Sequence, residues 1–308
     1  MSAHSSEAVP RLRRGRAPAR GYDHRTRAGN SGDVIKHIAL IAALRGVLAA
    51  SARSSTPFVY ADTFAAYVQN PVLDRHRRQW NPGIGRTLER KVRTMLEEGD
   101  ASATWLGRYL PETRSSLHGG MYPGSCLVAY DEIAASGRRP KLMLWDTDSG
   151  PIENLRTFFG KDAGHVVFHK SAVRDGVLSE RVKEANFVFV DPPGHDDQKG
   201  ECPTTGDLAS YFALPVMLMW LPLVGQRKAR RVKGEHQKCA KIRAIAHECR
   251  ASSIAIRTGG AVQDFGCQLL MRLPDEAERD VRKAVELARV AWGWATLPGS
   301  SSPGIELT

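Results

Sequence analysis

Apolar positions along this chain follow two rhythms. From Val34, the residues Ile35, Ile38, Ala39, Ile41, Leu44 and Leu48 recur at helical spacing. They predict one helix, entered through the turn residues Ala28-Gly29-Asn30-Ser31-Gly32-Asp33, with Asn30 or Asp33 as its cap. Short apolar runs come next, and each predicts a strand. They lie at residues 57–62, 141–146, 165–169 (ending near Ser171), 187–190, 215–220 (ending before Leu221-Pro222), 252–257 and 267–273. Helical stretches separate the earlier runs, so the pattern predicts an α/β fold with a mainly parallel sheet covered on both faces. The last two runs are close together and predict an antiparallel edge. Residues 71–120 carry helical spacing at Leu88, Val92, Met95, Leu96, Trp105, Leu106 and Leu110 and no strand pattern, which predicts a helical insertion.

Several strands end in an acid: Asp62, Asp146 and Asp191. Open α/β sheets bind ligands beyond the carboxyl ends of their strands. Asp146, with Asp148 as a near competitor, fits an acid that takes two neighbouring ribose hydroxyls of a nucleoside cofactor. The run Phe187-Val188-Phe189-Val190 ends in Asp191-Pro192-Pro193-Gly194. Proline cannot continue a ladder, so the chain leaves the sheet there and exposes carbonyls beside a carboxylate. Such a cluster of acceptors holds an exocyclic amino group and orients its lone pair, the logic of amino-group methyltransferases. Their Asp/Asn-Pro-Pro motif continues with an aromatic; here Gly194 and His195 follow. The plainer alternative is a strand-end turn without chemistry. Lys36 and His37 fall in the first helical turn, where cations oppose the macrodipole. They read either as functional groups or as a solvated lysine and a core histidine. In the loop after the first strand, Thr63-Phe64-Ala65-Ala66-Tyr67, alanines stand where a ligand-cradling loop expects glycines.

Charge changes the picture. The 308 residues carry a formal net charge of +11 and a pI near 9.6, which points either to a polyanionic partner such as nucleic acid or to an arginine-rich composition without functional meaning. The cations concentrate at Arg11–Arg20 and over residues 227–243, with Arg227, Lys228, Arg230, Arg231, Lys233, Lys238, Lys241 and Arg243 against the single acid Glu235. Residues 1–21 read as a disordered basic arm, either phosphate-touching or without a specific role. Residues 298–308 read as a flexible tail, and 22–297 as the catalytic domain. Five scattered cysteines without a C-x-x-C pair fit a reducing cytoplasm and no structural zinc. No apolar leader or membrane-length run is expected. No metal site is expected either: His165 and His169 are four apart on a strand, where that spacing does not converge on one ion. Ser-His-Asp order, H-E-x-x-H and a phosphate-loop lysine are lacking, which leaves hydrolase and kinase readings without support.

Five ordered blocks resemble the RlmJ-like family of large-subunit ribosomal RNA adenine-N6-methyltransferases. They are Tyr22-x-His24 with Ala28-Gly29-Asn30-x-x-Asp33-Val34-x-Lys36-His37; Phe58-Val59-Tyr60-x-Asp62-Thr63; Tyr122-Pro123-Gly124-Ser125; Asp191-Pro192-Pro193; and Trp220-x-Pro222. The resemblance covers residues 22–295. It implies a class I (Rossmann-like), seven-stranded methyltransferase with S-adenosyl-L-methionine as cofactor. Lys36, His37, Asp62, Phe64, Ser125, Asp146, Ser171 and Ala172 would then line the cofactor, and Asp191, with Pro192 and Pro193, the reacting amino group. Tyr22, His195, Tyr211, Arg227, Arg230 and Arg231 are candidates for the substrate. The chain departs from the family at Phe64-Ala65-Ala66, where a histidine and glycines are expected. It departs again at Ser171-Ala172, in place of Asp-Gly, and at Gly194, in place of the tyrosine that stacks the target base. Three readings are compatible with these departures: an RNA adenine methyltransferase, an enzyme acting on a small-molecule amine, and an RNA-binding member without catalysis.

Overall fold

The computed structural model describes residues 28–51, 56–71, 121–160, 164–174, 177–194, 203–224, 235–257, 265–293 and 295–296. The expected arm, the body of the insertion and the tail lie outside these residues.

The first element is helix α1 (Ser31–Ala50). Its cap is Asn30, whose side chain accepts from the N–H groups of Gly32 and Asp33. Val34 to Leu44 are buried on every side of α1, as befits a helix apolar all round. Strands β1 (Phe58–Asp62) and β2 (Gln69–Pro71) come next, then β3 (Met121–Pro123), helix α2 (Ser125–Ala135), β4 (Pro140–Asp146), α3 (Ser149–Phe159) and β5 (Val166–His169). After β6 (Val173–Arg174), β7 (Val177–Leu178) and α4 (Glu180–Lys183) come β8 (Phe187–Val190), α5 (Thr205–Ser210) and β9 (Met217–Val224). The described chain ends with α6 (Glu235–Glu248), β10 (Ser252–Arg257), β11 (Phe265–Arg272), α7 (Asp275–Trp292) and β12 (Ala295–Thr296).

The main sheet has the order β12-β10-β11-β9-β8-β1-β4-β5. Without the two-residue edge strand β12 it is the expected seven-stranded sheet. Neighbours from β5 to β9 are parallel. β11 is antiparallel to both β9 and β10. It therefore enters between them, and β10 lies outside it rather than inside. Helices α1, α2, α3 and α7 pack one face, and α4, α5 and α6 the other, each over its own apolar core. Gly46 of α1 permits close approach to α7: a Cβ there would sit 2.5 Å from Ala277 Cα.

One local expectation is corrected. β9 does not stop before Leu221 but runs through Pro222. Beyond Met219 it has left β8 and pairs only with β11, so one side of the strand tolerates a residue without an N–H. Tyr122-Pro123 belongs to β3, which pairs with β2 and ties together the two ends of the insertion. Among the described residues no helix is long and apolar enough to cross a membrane.

Candidate active site

The chain runs outward from β1 in two directions, to β4 and β5 on one side and to β8 and β9 on the other. That switch point opens a crevice at the carboxyl ends of the strands. Asp62 ends β1, Asp146 ends β4, and Asp191 comes directly after β8, so the three acids share one edge. The register is close, with Asp62 opposite Leu144 on one side and Phe189 on the other.

The loop after β1 crosses the floor of this crevice. The backbone N–H and hydroxyl of Thr63 both donate to Phe189 O at 3.2 Å. Ala65 N donates to Trp145 O at 2.9 Å, and Ala66 N to Asp146 Oδ2 at 3.1 Å. Ala66 takes a positive φ of 48°, the conformation a glycine would adopt without steric cost. The expected glycine geometry is kept here by an alanine. Gly124 is required by the same loop, since a Cβ would fall 2.1 Å from Tyr67 O. Asn154 of α3 accepts from Val68 N at 2.9 Å; it carried no sequence signal, being one polar residue on an amphipathic helix.

The five blocks converge as two clusters. In one, the first, fourth and fifth meet. Lys36 Nζ lies 2.6 Å from Asp191 Oδ2 and 2.7 Å from Asp33 Oδ1, and 5.7 Å from the centre of the Trp220 ring. Asp33 Oδ2 accepts from Gly29 N at 2.8 Å, so the turn that opens α1 also aims its lysine. In the other, the second and third meet. Ser125 Oγ donates to Asp62 Oδ2 at 2.6 Å, Tyr60 OH to the same oxygen at 3.2 Å, and Phe64 N to Oδ1 at 3.2 Å. Burial pushes the Asp62 carboxyl up to about 7 despite these donors. The neighbouring Tyr60 phenol is raised as well, first by burial and then by the Asp62 charge. His37 Nδ1 lies 2.9 Å from Tyr122 OH, and the two rings stack.

These contacts revise several expected roles. Asp62 is fully buried and turned onto Ser125, Tyr60 and Phe64, so it braces the loop rather than facing a ligand. Ser125 is spent on Asp62. Lys36 reaches the candidate catalytic acid. His37 is enclosed against Tyr122. Phe64 packs into the core under α5 and α6. Ala172 is buried in that same core, and Ser171 turns its hydroxyl onto the backbone of Val173. Tyr211 offers no face for stacking: its ring is 1% exposed, because the apolar run from Leu208 to Leu214 closes over the sheet. Tyr22, His195, Arg227, Arg230 and Arg231 lie outside the described residues. Asp146 keeps its expected place. Its oxygens accept from Ala66 N and, at 2.8 Å, from Asp148 N, and burial raises its carboxyl. Pro192 is buried and Pro193 exposed beside Asp191. Gly194 has φ +155°, and a Cβ there would meet open space. Among the described residues no cluster suited to a metal ion occurs.

Strand order and acid-lined edge together are those of the class I, Rossmann-like methyltransferase fold. A crystal structure of a Legionella pneumophila protein under the family model DUF519 aligns with TM-score 0.54 and 19% identity, over 89% of this chain and 96% of that one. A putative class I S-adenosylmethionine-dependent methyltransferase from Listeria monocytogenes aligns at TM-score 0.41 and 9% identity, over 83% and 64% of the two chains. The N-methyltransferase NodS of Bradyrhizobium japonicum aligns at 0.36 and 10%, over 78% and 95%. No model of a known protein family matches the sequence, and no curated protein matches it.

Proposed function

We propose that this chain is an S-adenosyl-L-methionine-dependent N-methyltransferase acting on an exocyclic amino group of RNA, adenine N6 of ribosomal RNA, in the cytoplasm. The observation that carries the reading is Asp191. Its carboxylate stands at the end of β8, at the switch point of the sheet, and keeps 14% of its side chain exposed. Two prolines that donate no N–H come after it.

The residues present fit the cofactor. Each Asp146 oxygen accepts one backbone N–H and keeps a further lone pair for a ribose hydroxyl. Asp146 and Asp191 line the edge against the one charge of Lys36, which suits a cationic sulfonium. When bound, S-adenosylmethionine supplies an activated methyl group. The protein's part is positioning. Asp191 and the carbonyl beside it accept the hydrogens of the amino group, direct its lone pair into the crevice, and take up the proton the nitrogen sheds. The lysine at Asp191 Oδ2 fixes the orientation of that carboxylate and leaves Oδ1 to the acceptor.

The net charge of +11 supports RNA as the acceptor. The open space at Gly194 favours a second reading, a small-molecule amine, because no ring stacks a base from that position. Tritiated S-adenosylmethionine incubated with naked ribosomal RNA and with ribosomal subunits separates the two. Label in adenine supports the first. Cofactor binding with no label in either RNA overturns it in favour of the second.

A further inference from the structure

Asn70 is fully buried on β2, and among the described residues neither its Oδ1 nor its Nδ2 has a hydrogen-bond partner. An amide left unpaired at both ends is costly, and a native chain that keeps one needs a reason. Asn70 is paired with Tyr122 across the β2–β3 ladder. Directly opposed residues of an antiparallel pair share a face, so the Asn70 side chain lies on the face of the ladder that carries Tyr122, whose hydroxyl meets His37. It also stands at the far end of the loop that crosses the crevice floor.

We infer that Asn70 binds the amino-acid end of the cofactor. This rests on the function proposed above. Of the three arms on the sulfonium, the ribose arm belongs at Asp146 and the methyl arm at Asp191. The third arm carries a carboxylate and an ammonium. A carboxamide matches it at both ends: Nδ2 donates to the carboxylate, and Oδ1 accepts from the ammonium. Two other buried groups without a partner do not fit. Gln268 is on β11, three strands away from β1, and Trp145 Nε1 offers a donor alone on a ring stacked against Phe168. The ladder in which Asn70 is the middle pair is three residue pairs long, short enough to part locally when a ligand enters.

The test compares Asn70→Leu and Asn70→Asp with the wild-type chain, by calorimetric titration with S-adenosylhomocysteine and with 5′-methylthioadenosine, which lacks the amino-acid end. Thermal melts of the ligand-free proteins accompany it. Expected for Asn70→Leu is a loss of about ten- to a hundredfold in S-adenosylhomocysteine affinity, an unchanged affinity for 5′-methylthioadenosine, and a melting point unchanged or raised. Asn70→Asp, which sets a charge against the carboxylate, shows the same selective loss and decides the matter should the leucine variant not fold. Unchanged S-adenosylhomocysteine binding in the variants overturns the inference and leaves the proposed function standing. Equal loss of both ligands with a lowered melting point makes Asn70 structural and overturns it too. A wild-type chain that binds neither ligand overturns the proposed function itself.

Discussion

Asp62 and Asp191 terminate neighbouring strands, and each comes after a short apolar run. In sequence they look alike. In the fold one is enclosed by Ser125, Tyr60 and the Phe64 N–H, with its carboxyl raised to about 7 by burial. The other is held on one oxygen by Lys36 and keeps a route to the crevice. The difference lies in the backbone just beyond each acid. After Asp62 the chain turns back over its own strand end, and the loop supplies its own donor. After Asp191 two prolines carry the chain away and supply none. On the proposed function, an acid at a strand end is left for chemistry when the backbone beyond it leaves its lone pairs unused.

Breaking the reactive side gives the largest effect. Asp191→Ala lowers methyl transfer by about 10²–10³-fold, the range for removal of one preorganised polar group, and leaves cofactor affinity intact. Single-turnover rates with saturating cofactor measure it. Equal loss in Asp62→Asn would erase the contrast between the two acids.

The braced side is read through pH. The folded Asp62 carboxyl titrates near 7 against an ordinary 3.8. Between those values the folded chain keeps a proton that the unfolded chain releases. The stability Asp62 contributes is fully present below about pH 4 and is lost as pH rises through about 7, with a slope of at most about 1.4 kcal/mol per pH unit. Urea denaturation midpoints from pH 4 to 8 show this slope in the wild type. Asp62→Asn flattens it.

The smallest effect sharpens the loop between the acids. Ala66 holds φ 48°, so Ala66→Gly relieves strain and stabilises by about 1 kcal/mol before the added flexibility of glycine offsets part of it. Chemical denaturation at fixed pH measures the difference. A net loss of more than about 1 kcal/mol would mean that the methyl group packs and that the backbone is not strained.

Much of this was legible in the chain. Strands β1, β4, β5, β8 and β10 match the apolar runs almost residue for residue, and for β1, β4 and β8 the reason is that buried parallel strands need continuous apolar stretches. The insertion of β11 between β9 and β10 was not legible, since spacing shows that two strands are near each other without showing which is outermost. Position was legible where it depends on the strand itself, and less so where it depends on a distant partner. Asp146 and Asp191 stand where strand-end acids were expected. Lys36, Asp62, Ser125 and Tyr211 are where they are because of partners far away in the chain, as Lys36 with Asp191 and Ser125 with Asp62, and no local pattern carries such information. Asn70 left no trace, being one of two polar residues in a strand of three.

The division of labour along the acid-lined edge is tested most directly by titrating S-adenosylhomocysteine into the wild-type chain, Asp191→Ala and Asp146→Ala. Expected is saturable binding by the wild type, the same affinity in Asp191→Ala, and a loss of about ten- to a hundredfold in Asp146→Ala, the worth of hydrogen bonds to a charged group. No saturable binding by the wild-type chain, or a loss in Asp191→Ala as large as in Asp146→Ala, would contradict it.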